Sequence, residues 1–175
     1  PGEFAETMLA ASSSMQINGK GRRIGPQDAL FDLRVGKDVH ALVGCGLGGT
    51  SLINASVCLT PDVMVLEDEA WPEELRIDHR LNVGFHRARQ MLAPAPLPQT
   101  AKPIKLESLE RAGKALGHHV ERAPLHIAFE EKTNAAGVVQ PACTMCGDCM
   151  GGCNTGSKTT VHSTYLTDAV NHGAE

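Results

Sequence analysis

Four glycines in six positions, Gly44, Gly46, Gly48 and Gly49, constrain this chain more than any other feature. They follow the short apolar run DVHALV at 38–43, which reads as a strand, and lead into Thr50 to Val57, which suits a helix or a tight helical turn. Glycine tolerates backbone angles and close approaches that a side chain forbids. A turn so built can bring amide N–H groups against a planar ring or an anion. The same run also serves as a tight turn that packs helix against strand, and both readings stand at this point. It does not have the spacing of the Rossmann dinucleotide fingerprint, and no phosphate-binding lysine follows the glycines.

The rest of the chain sets the scale. Its 175 residues suffice for one domain of ordinary size, and a 42% hydrophobic content allows a buried core. With one Trp, one Tyr and four Phe, that core must come from Leu, Val, Ile and Ala. Stacking platforms for single-stranded nucleic acid are therefore not expected. A formal charge of -4, with no basic stripe beyond Arg22-Arg23, argues against nucleic acid as a partner, because displacing phosphate counterions needs clustered cations. No run approaches the roughly 20 apolar residues of a membrane span. The first residues show no basic-then-apolar leader pattern. The opening Pro-Gly-Glu-Phe and the closing Gly-Ala-Glu read as the ends of an internal segment.

Beyond Pro61, Leu81, Phe85, Ala88 and Leu92 recur at helical spacing, which predicts an amphipathic helix over 78–92 ahead of Pro94. Pro94, Pro96, Pro98 and Pro103 make the next stretch extended. Leu106, Leu109 and Leu116 predict a helix over 104–116 closed by Gly117, and the alternation of Leu125, Ile127 and Phe129 predicts a strand. Residues 134–156 read as loop. A last helix fits 159–172, with Val161, Tyr165 and Ala169 along one face and Gly173 as its stop.

Within that loop, Cys143, Cys146, Cys149 and Cys153 stand at the thiolate spacing of bacterial ferredoxins. Asn154 replaces the proline that usually follows such a run, and there is no second run. Three readings stay open: thiols packing as small hydrophobes in a glycine-rich loop, an iron-sulfur cluster, or zinc. Thiols packed this densely suit a reduced or metal-loaded site better than a disulfide scaffold, which favours the cytoplasm or another reducing compartment. His118-His119 and Glu130-Glu131 read as surface pairs and Asp148 as a turn former; Lys158, at the start of the last helix, reads as a solvated lysine or as one that meets an anionic group.

The run GCGLGGTSLIN at 44–54, followed by Pro61 and Glu67, resembles the first signature of the glucose-methanol-choline (GMC) flavin oxidoreductases. Cys58 departs from it, standing where the family usually has a small or aromatic residue. Trp71-Pro72, GCNTGSK at 152–158, Tyr165-Leu166 and the closing Gly-Ala-Glu resemble the cholesterol-oxidase-like branch. The resemblance implies an α/β fold: part of a Rossmann-like FAD-binding domain with a mainly helical insertion. Residues 1–60 would belong to the flavin domain, 61–141 would connect, and 142–175 would return to it. It implies FAD contacts from Gly44, Gly48, Gly49, Thr50, Asn54, Ala55 and Val57, with Asn54 polar and Val57 facing the ring. It also implies an alcohol substrate, sterol or otherwise hydrophobic, and oxygen or another electron acceptor. The fingerprint for the ADP part and the catalytic residues of the family are expected outside this stretch.

Overall fold

A computed structural model describes residues 8–77 and 80–175. The chain starts with α1 (Met8–Ser14) and then builds a four-stranded mixed sheet from β1 (Met15–Gly19), β2 (Arg22–Ile24), β3 (Phe31–Val35) and β4 (His40–Gly44). The spatial order is β2-β1-β3-β4. β1 and β3 run parallel, with Met15 opposite Phe31, while the two outer pairings are antiparallel. The β1–β2 hairpin closes through Lys20 and Gly21, both at positive φ (47 and 73), the geometry whose twist matches that of the paired strands.

The expected strand at 38–43 is β4. Met15 and Ile17 in β1, and Phe31, Leu33 and Val35 in β3, also alternate with polar residues, but this alternation does not mark the buried face. The reason is that the sheet buries polar side chains. Gln16 and Asp32 are each 1% exposed. Gln16 accepts from the Arg23 guanidinium and donates to Cys45 Sγ at 3.1 Å. Asp32 accepts from Asn18 at 2.6 Å and from Arg34 at 2.6 Å. Satisfied in this way, buried polar groups can occupy positions where a periodicity argument looks for Val or Ile.

After the glycine turn come α2 (Val63–Leu66), α3 (Glu73–Ile77) and α4 (Arg80–Leu92). The helix expected at 78–92 is α4, and its first two expected positions lie outside the described residues. β5 (Ala95–Pro96) follows, then α5 (Ile104–Ala115), which ends as expected at Gly117 with φ 72. Its apolar side chains are not its buried face, because Ile104 and Leu109 are exposed and Gly113 is the buried residue, packed against Val120.

The strand expected through Leu125, Ile127 and Phe129 needs correction. β6 (Pro124–Leu125) pairs with β5, Ile127 makes only an isolated antiparallel bridge to Lys158, and the three consecutive residues His126, Ile127 and Ala128 are all buried. This segment is gripped from both sides: His126 donates its amide to Ser56 O (2.9 Å) and Ala128 to Ser157 O (2.8 Å), while Thr159 donates to His126 O (2.9 Å). Burial on two sides erases the alternation of a half-buried strand. A hairpin of β7 (Lys132–Thr133) and β8 (Val139–Gln140) interrupts the run from 134 that was expected to be all loop.

The last helix also differs. It opens as a π-type turn over His162–Leu166 and becomes α-helical only in α6 (Thr167–Asn171), with Gly173 at φ 91 as the expected stop. The wider turn shifts the phase, so that Thr164 is fully buried and Tyr165 is 41% exposed, the reverse of the expected face.

Candidate functional site

β4 delivers the chain to Gly44, which is buried. A side chain there would meet Gly49 O at 2.6 Å and Thr50 Cα at 3.0 Å, so only glycine lets the turn fold back this tightly. The turn closes when Gly49 donates its amide to Gly46 O (3.0 Å), and a short 3-10 turn over Gly49–Leu52 follows. Gly48 and Gly49 sit at φ 109 and 58.

The turn has a packed back and an open front. Behind it, Gly48 faces His162, where a Cβ would lie 3.1 Å from the His162 amide nitrogen. The Ser51 hydroxyl donates to Gly48 O (2.7 Å) and accepts from the Val161 amide (3.0 Å). In front, a Cβ on Gly49 would meet nothing within 4 Å. Thr50 and Ala55 are exposed and Val57 is 50% exposed. Asn54 is half-buried; its Oδ1 accepts from the Ser56 amide (3.1 Å), and its Nδ2 makes no hydrogen bond among the described residues. Of the seven expected contact residues, Gly49, Thr50, Asn54, Ala55 and Val57 are thus reachable from outside, while Gly44 lies under the turn and Gly48 backs onto His162.

Between Ala55 and Val57, Ser56 is held at φ 64, a region that a residue with a Cβ rarely adopts. Its hydroxyl is buried and, among the described residues, has no partner. Strain and an orphaned polar atom at one position accompany sites that bind something.

Lys158 is the residue whose sequence reading fails most completely. It is not solvated: at 3% exposure its ammonium donates to Leu52 O (3.0 Å), Asn54 O (2.7 Å) and Cys149 O (2.8 Å). One buried cation therefore ties both ends of the 52–54 segment to the cysteine loop. Burial lowers its pKa, and the nearby Cys149 and Cys153 sulfurs work the other way. Nothing local in the sequence distinguishes this lysine from a solvated one. His126 was likewise not singled out. It is 5% exposed, and its Nδ1–H donates to Thr159 O at 2.7 Å. Burial first, and then the Lys158 charge, hold it below the ordinary histidine range against the pull of that bond, which keeps it neutral.

The loop cysteines come together, but not as a metal cage. Cys143, Cys146, Cys149 and Cys153 line one cavity of about 20 Å³ with Lys158. Among the described residues no three His, Cys, Asp or Glu side chains form a metal-ligating group. The ferredoxin-like spacing therefore gains no support as an iron-sulfur or zinc site among the described residues. His118, His119, Glu130 and Glu131 are exposed, and Asp148 accepts at its carbonyl from the Gly151 amide (2.9 Å), a turn. No helix among the described residues is long and apolar enough to cross a membrane.

Comparison with known proteins decides what this turn belongs to. Residues 34–175 match the family model described as GMC oxidoreductase. The chain belongs to the GMC oxidoreductase family. The family is one of FAD-binding oxidoreductases, and its N-terminal domain is Rossmann-like α/β. Among curated relatives, the chain is similar to a cholesterol oxidase of Acinetobacter baumannii, 24% identical over 159 residues, which is 83% of this chain and 28% of that protein. It is also similar to a cholesterol oxidase of Mycobacterium tuberculosis, 24% identical over 152 residues, covering 79% of this chain and 26% of the relative. The chain thus spans just over a quarter of the length of the curated relatives that it matches.

Proposed function

We propose that residues 44–57 are the flavin-contacting face of an enzyme that transfers hydride from an alcohol, a sterol or another hydrophobic alcohol, to FAD. The observation that carries this is the open front of the turn: free space over Gly49 at left-handed φ, beside exposed Thr50, Ala55 and Val57. A planar ring can lie close to such a backbone because no Cβ stands in the way. The orphaned Ser56 hydroxyl and the unpaired Asn54 Nδ2 add unused hydrogen-bonding capacity at the same segment. FAD therefore fits the residues present. The similarity to two cholesterol oxidases supports a sterol-like substrate class.

In this reading each residue holds or shields the ring. Gly49 and Thr50 approach it through the main chain, Asn54 donates from Nδ2, Ala55 lines its edge and Val57 covers it with an apolar side chain. Gly44 and Gly48 act from behind by letting the turn close, since the Gly49 amide is already taken by Gly46 O. When bound, FAD supplies the hydride acceptor, and oxygen or another acceptor takes the electrons on. Residues 44–57 have no part in removing the hydroxyl proton. Residues 1–60 and 142–175 form the flavin-side stretches, joined by 61–141; the Lys158 hydrogen bonds to Leu52 O and Asn54 O support that pairing.

Gly49→Val in the holoprotein tests the reading. Two methyl groups would enter the space that the ring needs, on a backbone angle that Val resists. The flavin-to-protein ratio read from visible absorbance should fall to near zero with the far-ultraviolet circular dichroism unchanged. A folded variant carrying its full complement of flavin would show that the ring lies elsewhere.

A further inference from the structure

The cavity shared by Cys143, Cys146, Cys149 and Cys153 has no part in the flavin reading. At about 20 Å³ it admits a body of water's size and little more. All four cysteines are free thiols, but their surroundings differ. Cys153 Sγ lies 3.3 Å from Thr155 Oγ1, which is 2.9 Å from Ser157 Oγ. Burial alone would raise the Cys153 pKa; the Thr155 hydroxyl, then the amides of Lys158, Thr155 and Ser157, outweigh it and hold the thiol below its usual range. Cys149 has no such donors, and burial pushes its thiol up against the pull of Lys158. Lys158 lines the same cavity, its ammonium donating to the Cys149 carbonyl at 2.8 Å. Gly151 and Gly152, the latter at φ 97, fold the loop back between them. Two thiols lining one small cavity with a buried cation, one of them within reach of the Thr155–Ser157 hydroxyl pair, suit thiol-disulfide chemistry.

We propose that this cavity is an oxidation site for hydrogen peroxide, with Cys153 the sulfur attacked and Cys149 the sulfur that closes a disulfide with it. The Cys153 thiolate attacks one peroxide oxygen. The S–O bond forms, the O–O bond breaks, and the departing hydroxide takes a proton and leaves as water, the sulfur having been oxidised by two electrons to sulfenic acid. Cys149 then gives up its proton and attacks that sulfur; the S–S bond forms, the S–O bond breaks and a second water leaves. In sum, two thiols and one peroxide become one disulfide and two waters. A reduced flavin releases peroxide when oxygen takes its electrons, and only this origin of the oxidant rests on the proposed function. Because Lys158 holds Cys149 O together with Leu52 O and Asn54 O, closing the disulfide also pulls on the segment after the glycine turn.

Stoichiometric hydrogen peroxide added to the holoprotein and, separately, to flavin-free protein tests this, with the remaining thiols blocked and the peptides read by mass spectrometry. Both samples should lose two thiols, joined as Cys149–Cys153, with Cys45 and Cys58 unmodified. Cys153→Ser should slow the reaction by about tenfold or more, and Cys149→Ser should stop at a sulfenic acid that dimedone traps. The inference is overturned by all six thiols reacting at one common rate, by a fast phase that survives in Cys153→Ser, or by stoichiometric iron or zinc bound in the cavity. The flavin-free sample separates this outcome from any failure of the flavin reading, since its thiols react whether or not FAD ever binds the turn.

Discussion

Lys158→Met removes one ammonium and strands three carbonyl oxygens, those of Leu52, Asn54 and Cys149, at a site where the lysine is 3% exposed. A buried acceptor left without its donor costs about 1–3 kcal/mol, which for three carbonyls sums to several kcal/mol. Part of that is offset, because burial of the ammonium is itself unfavourable and lowers its pKa, and Met avoids that desolvation. A net loss of about 3 kcal/mol follows, which for a chain of this size lowers Tm by about 6–12 °C. Lys158→Arg should rescue little, since a planar fork cannot place one nitrogen among three converging oxygens. Thermal and urea unfolding followed by circular dichroism give the stability. The flavin-to-protein ratio then shows whether the segment at 52–54 has also lost its position. A Met variant as stable as the parent would refute the reasoning, since the three hydrogen bonds would then contribute nothing net.

His126 gives a pH signature with a definite sign. Its pKa is lowered in the folded chain, chiefly by burial, so the unfolded state binds more protons below its ordinary value of about 6.5. Stability should be complete above that value and fall as the pH drops toward the folded pKa, and His126→Gln should flatten the slope in urea titrations below about pH 6.5. Asn54→Ala removes the Oδ1 acceptor of the Ser56 amide and the unpaired Nδ2, a loss of about 1 kcal/mol; flavin potential or turnover should shift while Tm moves by only a few degrees. Cys146→Ser with Cys149→Ser should leave the flavin-to-protein ratio unchanged, whereas a loss of iron together with flavin in that variant would restore the cluster reading.

The legible part of the fold was the part whose cause is local. The strand ending at Gly44, the helices α4 and α5, and the stops at Gly117 and Gly173 each follow from a periodicity or a left-handed glycine within a few residues. In β1 and β3 an alternation is present but points to the wrong face, because Gln16 and Asp32 take the buried positions through partners on other strands. The π-type turn at His162–Leu166 escaped for a related reason: Thr164 donates its hydroxyl to Thr160 O (2.6 Å) and is buried by tertiary contacts, so the sequence period no longer marks the inner face.

By itself, then, the sequence determined the glycine turn and, through it, the family, because a backbone that must close on itself excludes side chains at identifiable positions such as Gly44. The tertiary structure alone decided which way that turn faces and what supports it. Lys158 lies 104 positions from Asn54 and holds its carbonyl at 2.7 Å, and Ser51 meets the Val161 amide across 110 positions. Whether a lysine is solvated or buried depends on whether distant carbonyls converge on its ammonium, and no local pattern records that. The cysteine loop makes the same point: the spacing of its thiols is local, but only the fold brings the four of them and the buried lysine to one small cavity.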